Sequence, residues 1–223
     1  MRILTGLVLT AAAVFAGEAE DKRLQDTAVV LNEIMATGDN AIPQHLLEKA
    51  ECAVIVPGMK KGGFIVGAKF GRGFATCRLP SKAGWSAPSG VRIEGGSFGF
   101  QIGGAEVDII LLVMNKKGME RLTSSKFTLG GEASVAAGPV GRDTQAQTDA
   151  TMRAEILSWS RSRGLFGGIA LNGATLRRDT DVDLELYGGS KPVLEILDGH
   201  VKPPAAAATL LSTLNKYSSR PNK

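Results

Sequence analysis

Histidine, cysteine, tryptophan and tyrosine are each present only twice in the 223 residues. That scarcity excludes a zinc site built from His and Cys and argues against metal chemistry in general. Phosphate-cradling loops are missing too. There is no G-x-x-x-x-G-K-[ST] sequence, and no G-x-G-x-x-G placed between a strand and a helix. Long apolar runs are also lacking. The stretch Ile3–Phe15 is too short to cross ~30 Å of hydrocarbon comfortably, and no later segment is longer. The calculated pI of about 9.1 raises nucleic acid as a partner. The basic residues are not interleaved with an aromatic stacking platform, so that class is set aside.

What the chain has in excess is glycine, 28 residues, 24 of which fall between Pro57 and Gly189. Apolar residues make up 43% and charged residues 22%, the balance of a globular protein with a real core. The formal charge of +4 conceals an asymmetry. Residues 18–52 are acidic, with eight carboxylates and three bases, whereas residues 53–105 hold seven bases and Glu94 alone. The first residues read as an address. Arg2, an apolar run and a small residue at Ala16 match a secretory signal peptide over residues 1–16. Export to a periplasmic or extracellular space is therefore expected, with the mature protein soluble or peripheral on a membrane. In such an oxidising compartment Cys52 and Cys77 could form a disulfide. The alternative is two buried thiols packing as small apolar groups.

Periodicity divides the mature chain. Leu24, Ala28, Leu31, Ile34 and Met35 recur at helical spacing up to Gly38, and a shorter helix follows Pro43, so residues 17–52 form N-terminal helices. Residues 53–190 form a glycine-rich β core of short strands between turns. Within it, Phe64, Val66, Ala68 and Phe70 share one face of a half-buried strand. Ile109–Met114 lacks alternation, as expected of a central strand covered on both sides. A helical interruption is expected between Gly118 and Phe127. Residues 191–223 form a helical tail. The fold class is α+β, with a strongly curved antiparallel sheet or barrel-like core and helices from both ends packed on it.

The search for catalytic residues returns none. Gly95-Gly96-Ser97-Phe98-Gly99 fits the nucleophile elbow of serine hydrolases, but the residues after it continue as strand and turn rather than as helix. His45 and Cys52 have no third orienting group. Asp179, Asp181, Asp183 and Glu185 alternate, as on the solvated face of a strand. Two segments remain. Met59-Lys60-Lys61 lies in a glycine-flanked loop, and Arg161-Ser162-Arg163 precedes Leu165-Phe166 and two glycines. Cations beside apolar tips are what an anionic headgroup and its chains would call for.

The order of these pieces resembles the SYLF domain family. The residues that carry the resemblance are Ala53–Gly58, Gly62-Gly63, Gly84–Pro88 and Gly95–Gly103, then Ala136–Arg142, Trp159–Gly168, Gly173 and Tyr187-Gly188. The match covers about residues 24–189. It implies a non-enzymatic module, without cofactor, that binds phosphoinositides or other acidic phospholipids, and in fungal members also binds and bundles actin. The acidic N-terminal region departs from the basic amphipathic helix expected of eukaryotic members. The expected partner is an anionic phospholipid or membrane surface, with an acidic protein as the alternative. The expected contacts are Lys60, Lys61, Arg161 and Arg163 for phosphate, and Met59, Leu165 and Phe166 for the interfacial layer.

Overall fold

The computed structural model describes residues 7–38, 41–63, 66–81, 83–98, 105–141, 153–162 and 165–218, with side chains from Gly17 onward except those of Val66, Ser97 and Phe98. Helix α1 (Leu7–Ala36) is followed by α2 (Gln44–Lys49) and four long strands: β1 (Cys52–Gly63), β2 (Val66–Cys77), β3 (Ser89–Phe98) and β4 (Ala105–Val113). Then come α3 (Lys116–Thr123), β5 (Lys126–Thr128), β6 (Val135–Ala137), β7 (Ile156–Ser162), β8 (Leu165–Gly168) and β9 (Thr175–Arg178). The chain closes with α4 (Thr180–Tyr187), α5 (Val193–Leu197), a 3-10 turn (Ala205–Ala207) and α6 (Ala208–Tyr217).

The strands form one sheet in the order β5-β9-β3-β2-β1-β4-β7-β6, with β8 paired to β7. It curls into a half-barrel with helices from both ends of the chain packed on it. Every pairing is antiparallel except β6 on β7, which is parallel. β4 shows why the curl is stable. Its alternate residues enter two different cores, Ile110 and Leu112 one, Ile109, Leu111 and Val113 the other. The first core lies under α1 and α6, with Leu24, Ala28, Leu31 and Ile34 facing Ile55, Phe74 and Trp159. The second is closed by Leu122 of α3 and by Val193 and Leu197 of α5. The expected double coverage holds for Ile109–Val113, while Met114 lies past the strand's end and is half-buried.

Local chemistry explains the joints. Asn115 caps α3 by accepting a hydrogen bond from the Gly118 N–H at 2.9 Å. Gly138 lies against the Trp159 ring, where a Cβ would sit 2.0 Å from Cε2. The indole N–H then donates to the Pro139 carbonyl at 3.0 Å. Two blocks of the family resemblance thus meet in one packing contact. At the far end of β2, buried Arg78 stacks on Trp85 and donates to the carbonyls of Leu47 and Ser218. This ties α2 and the end of α6 to the sheet.

Two expectations are corrected. Asp179–Glu185 is not a strand. Asp179 precedes α4, and its alternating acids are two i, i+4 sets, with Asp179 and Asp183 buried and Asp181 and Glu185 exposed. Ala68 and Phe70 face solvent rather than core, while Phe64 and the Val66 side chain lie outside the described residues. The register explains the exposure of Phe70. Its cross-strand neighbours are Lys60 and Glu94, which offer no apolar cover. Helix α1 runs through Ala16.

Candidate binding surface at one end of the sheet

The β1–β2 hairpin begins at a disulfide. Cys52 and Cys77 are directly opposite in the ladder, and their sulfurs are bonded. In the chain-entropy model, closing this 25-residue separation is worth about 3.5 kcal/mol. The thiol reading of Cys52 ends there.

Further along β1 the register shifts between Val56 and Met59. At this bulge Gly58 adopts φ +57°, and its N–H donates to Asp108 Oδ1 at 2.9 Å. The extra residue restores Met59 to the core, where it is wholly buried beside Val56. Met59-Lys60-Lys61 is therefore strand rather than loop, and Met59 does not reach the surface. Alternation then sends the two lysines to opposite faces. Exposed Lys60 stands opposite Phe70, which is 47% exposed, and Lys61 stands opposite Lys69. Burial, and then the charge of Lys69, push the Lys61 ammonium below its usual pKa. Among the described residues no carboxylate lies within ion-pair distance of Lys60, Lys61 or Lys69, although Glu106 of β4 stands directly opposite Lys60 in the ladder.

The second segment forms the β7–β8 hairpin. Strand directions place its turn at the same end of the sheet as the β1–β2 turn, with β4 between them. Two strand spacings separate the hairpins, roughly 10 Å. Leu165 is 80% exposed, and Phe166 is half-buried against the α1-side core. Arg161 is not a free cation. Its Nε and Nη2 both lie 2.8 Å from Asp108 Oδ2, and Nη1 pairs with Glu33 of α1. Burial opposes its charge, but the bonds to Glu33 and Asp108 outweigh that and hold its pKa above the ordinary value. Arg163 lies outside the described residues.

The structure therefore brings Lys60, Lys61, Leu165 and Phe166 to one end and adds Lys69 and Phe70, which sequence reasoning missed. No local signal fixes Lys69 as the partner of Lys61, since that pairing depends on the register of the whole β1–β2 ladder, in which Gly63 stands opposite Gly67. Ser97 lies within β3 opposite Gly67, a paired strand position rather than a nucleophile elbow. Among the described residues no cluster of His, Cys, Asp and Glu could hold a metal ion, and no helix is long and apolar enough to cross a membrane. Away from this end, a cavity of ≈ 350 Å³ is lined by Met35, Ile42, His45, Gly141 and Tyr217 among others.

Comparison with known proteins places this architecture. Residues 94–217 match the family model described as Ysc84, Las17-binding protein actin regulator. The SH3 domain-containing YSC84-like protein 1 of Rattus norvegicus is 34% identical over 183 residues, 82% of this chain and 53% of that protein. Its Homo sapiens counterpart is 32% identical over the same shares. Protein YSC84 of Saccharomyces cerevisiae is 31% identical over 179 residues, 79% of this chain and 38% of that protein. The chain thus spans about half the length, or less, of these relatives. With a half-barrel sheet, helices from both termini and a family match across more than half its length, this chain belongs to the Ysc84 (SYLF) family.

Proposed function

We propose that this protein is an exported, non-catalytic module that binds acidic phospholipid at a membrane surface through the turn end of its sheet. The observation that carries the reading is the Lys61–Lys69 pair. Like charges directly opposite each other across a ladder are destabilising, and here no carboxylate among the described residues offsets them. A bound anion would supply the missing counter-charge. Exposed Phe70 and Leu165 stand at the same end, where apolar tips would enter the interfacial layer beneath the phosphates. Lys60 adds a third cation on the opposite face. Each such charge near an anionic surface contributes about 1 kcal/mol, screened by salt. The apolar stretch within residues 1–16 and the Cys52–Cys77 bond both favour an oxidising compartment outside the cytosol.

A second reading has its own support, because the family description names an actin regulator. On that reading the same cations meet an acidic protein surface such as a filament. One co-sedimentation experiment with neutral vesicles, acidic vesicles and filamentous actin separates the two. Acidic vesicles alone should pellet the protein, with binding lost on raising salt. Pelleting with actin alone overturns the lipid reading, and pelleting with neither overturns both.

A further inference from the structure

We propose a second anion site, on the sheet face where β3, β9 and β5 adjoin, built for a compact ligand bearing phosphate or sulfate groups and at least two negative charges. It does not rest on the lipid reading. The site lies on the face opposite Lys61 and Lys69, and its β9 residues are three strand spacings, about 14 Å, from β1.

The starting point is a row of like charges. Arg72, Arg92, Arg177 and Lys126 are successive cross-strand partners on β2, β3, β9 and β5, so four cations stand side by side on one face. Matching each local cation with its acid shows where charge is left over. Arg72 pairs with Asp179 at 2.8 Å, and Arg23 pairs with Glu20. Arg178 acts on buried Asp183. Glu94 alone serves both Arg92, at 2.9 Å, and Arg177, at 3.3 Å. Lys126 is exposed and has no ion pair among the described residues. Among the described residues Glu94 is thus the one carboxylate ion-paired with Arg92 and Arg177, Lys126 has none, and Glu132 reaches this edge by accepting from the Thr128 N–H at 2.8 Å.

Two further observations point to a ligand. The Arg92–Glu94 contact is close but misaligned, leaving the buried Arg92 Nε–H without a hydrogen-bond acceptor. Such a donor costs stability until something accepts from it. In the adjacent row, Glu94, Thr175 and Thr128 are successive partners, which places two threonines on the same face beside the cations. Two guanidinium forks on neighbouring strands, flanked by hydroxyl donors, suit a tetrahedral, multiply charged oxyanion better than a planar carboxylate. The group could belong to a lipid headgroup or to a free phosphorylated compound.

Sodium tripolyphosphate is the first probe, followed by calorimetry at low salt. The wild type and Lys61→Gln/Lys69→Gln should bind it alike, while Arg92→Gln/Arg177→Gln should bind about tenfold more weakly or worse. Because removing both arginines also strips Glu94 of its partners, Lys126→Gln is the companion variant. It lies on the surface, should leave the melting temperature unmoved, and should weaken binding about threefold or more. Failure of the wild type to bind, or unchanged affinity in Lys126→Gln and in the double arginine variant, overturns the site. Loss of binding in Lys61→Gln/Lys69→Gln alone also overturns it, by moving the anion to the hairpin. Vesicles carrying a polyphosphorylated headgroup form the other arm. Competition with tripolyphosphate supports the site with a headgroup as its source, and independent binding supports it with a soluble ligand.

Discussion

The β1–β2 and β7–β8 hairpins look alike as sequence: two bases, neighbouring apolar residues and glycines, turning at the same end of one sheet. Their chemistry differs. Arg161 is held between Asp108 and Glu33, so its charge joins β7 to β4 and α1. Lys61 and Lys69 confront each other with no ion-paired carboxylate among the described residues, and Lys60, on the other face, stands opposite Glu106 of β4. A cation count therefore does not measure the charge available to a partner. Position in the ladder decides it, because a neighbouring strand can bring either a carboxylate or a second cation.

That contrast can be broken most forcefully by reversing the lysines. Lys60→Glu/Lys61→Glu/Lys69→Glu should lower partitioning onto acidic vesicles on the order of 100-fold, from about 1 kcal/mol for each charge removed. The melting temperature should hold or rise slightly, since the Lys61–Lys69 repulsion is gone. Unaltered pelleting would take the lysine hairpin out of the mechanism. Arg161→Ala should show the opposite pattern. Ion pairs with two carboxylates are lost, costing about 2–3 kcal/mol in chemical denaturation, while vesicle binding by the folded protein stays near wild type. A large loss of binding without loss of stability would mean that Arg161 touches the partner after all.

A smaller effect is expected from the apolar tips. Leu165→Ser and Phe70→Ser should each reduce vesicle affinity about tenfold, corresponding to roughly 1.5 kcal/mol of apolar burial, with the folded state undisturbed. Equal affinities would mean that the hairpins adsorb by charge alone. The smallest effect tests whether stability and binding separate with pH. Burial is the main cause that pushes the Asp183 carboxyl up to about 6 from its ordinary 3.8, against hydrogen bonds from Gly90 N–H and Ser89 Oγ–H that favour the ionised form. The folded protein thus takes up this proton at higher pH than the unfolded chain. The contribution of Asp183 to stability should therefore rise as pH falls through 6 and level off below 3.8. Melting curves should show the wild type gaining on Asp183→Asn from pH 7 to pH 5, with the binding contrast between the hairpins unchanged. No difference between the two melting series would show that Asp183 is ionised throughout.

Much of the fold is legible in periodicity. The helical spacing of Leu24, Ala28, Leu31 and Ile34 marks the face of α1 that is buried, and Pro43 does stand at the entry to α2. The Asp179–Glu185 series misleads because spacing by two is contained within spacing by four, so it suits both a strand face and two sides of a helix. The lysine hairpin is legible as basic sequence, but its faces are not, since the bulge at Gly58 changes the phase of alternation. Met59 is the casualty of that phase change, a residue beside two lysines that belongs to the core.

By itself the amino-acid order determined the α+β class, the doubly covered strand at Ile109–Val113, the glycine-punctuated sheet and the family. These follow from local propensity and period, which act over a few neighbouring residues. Only the tertiary structure decided that Cys52 bonds Cys77, that Arg161 is neutralised from α1 and β4, and that Arg92 and Arg177 share Glu94 while Lys126 stands beside them in the ladder. Each of those outcomes depends on groups far apart in the chain but a few ångströms apart in space. Electrostatic and covalent pairing respond to that second distance.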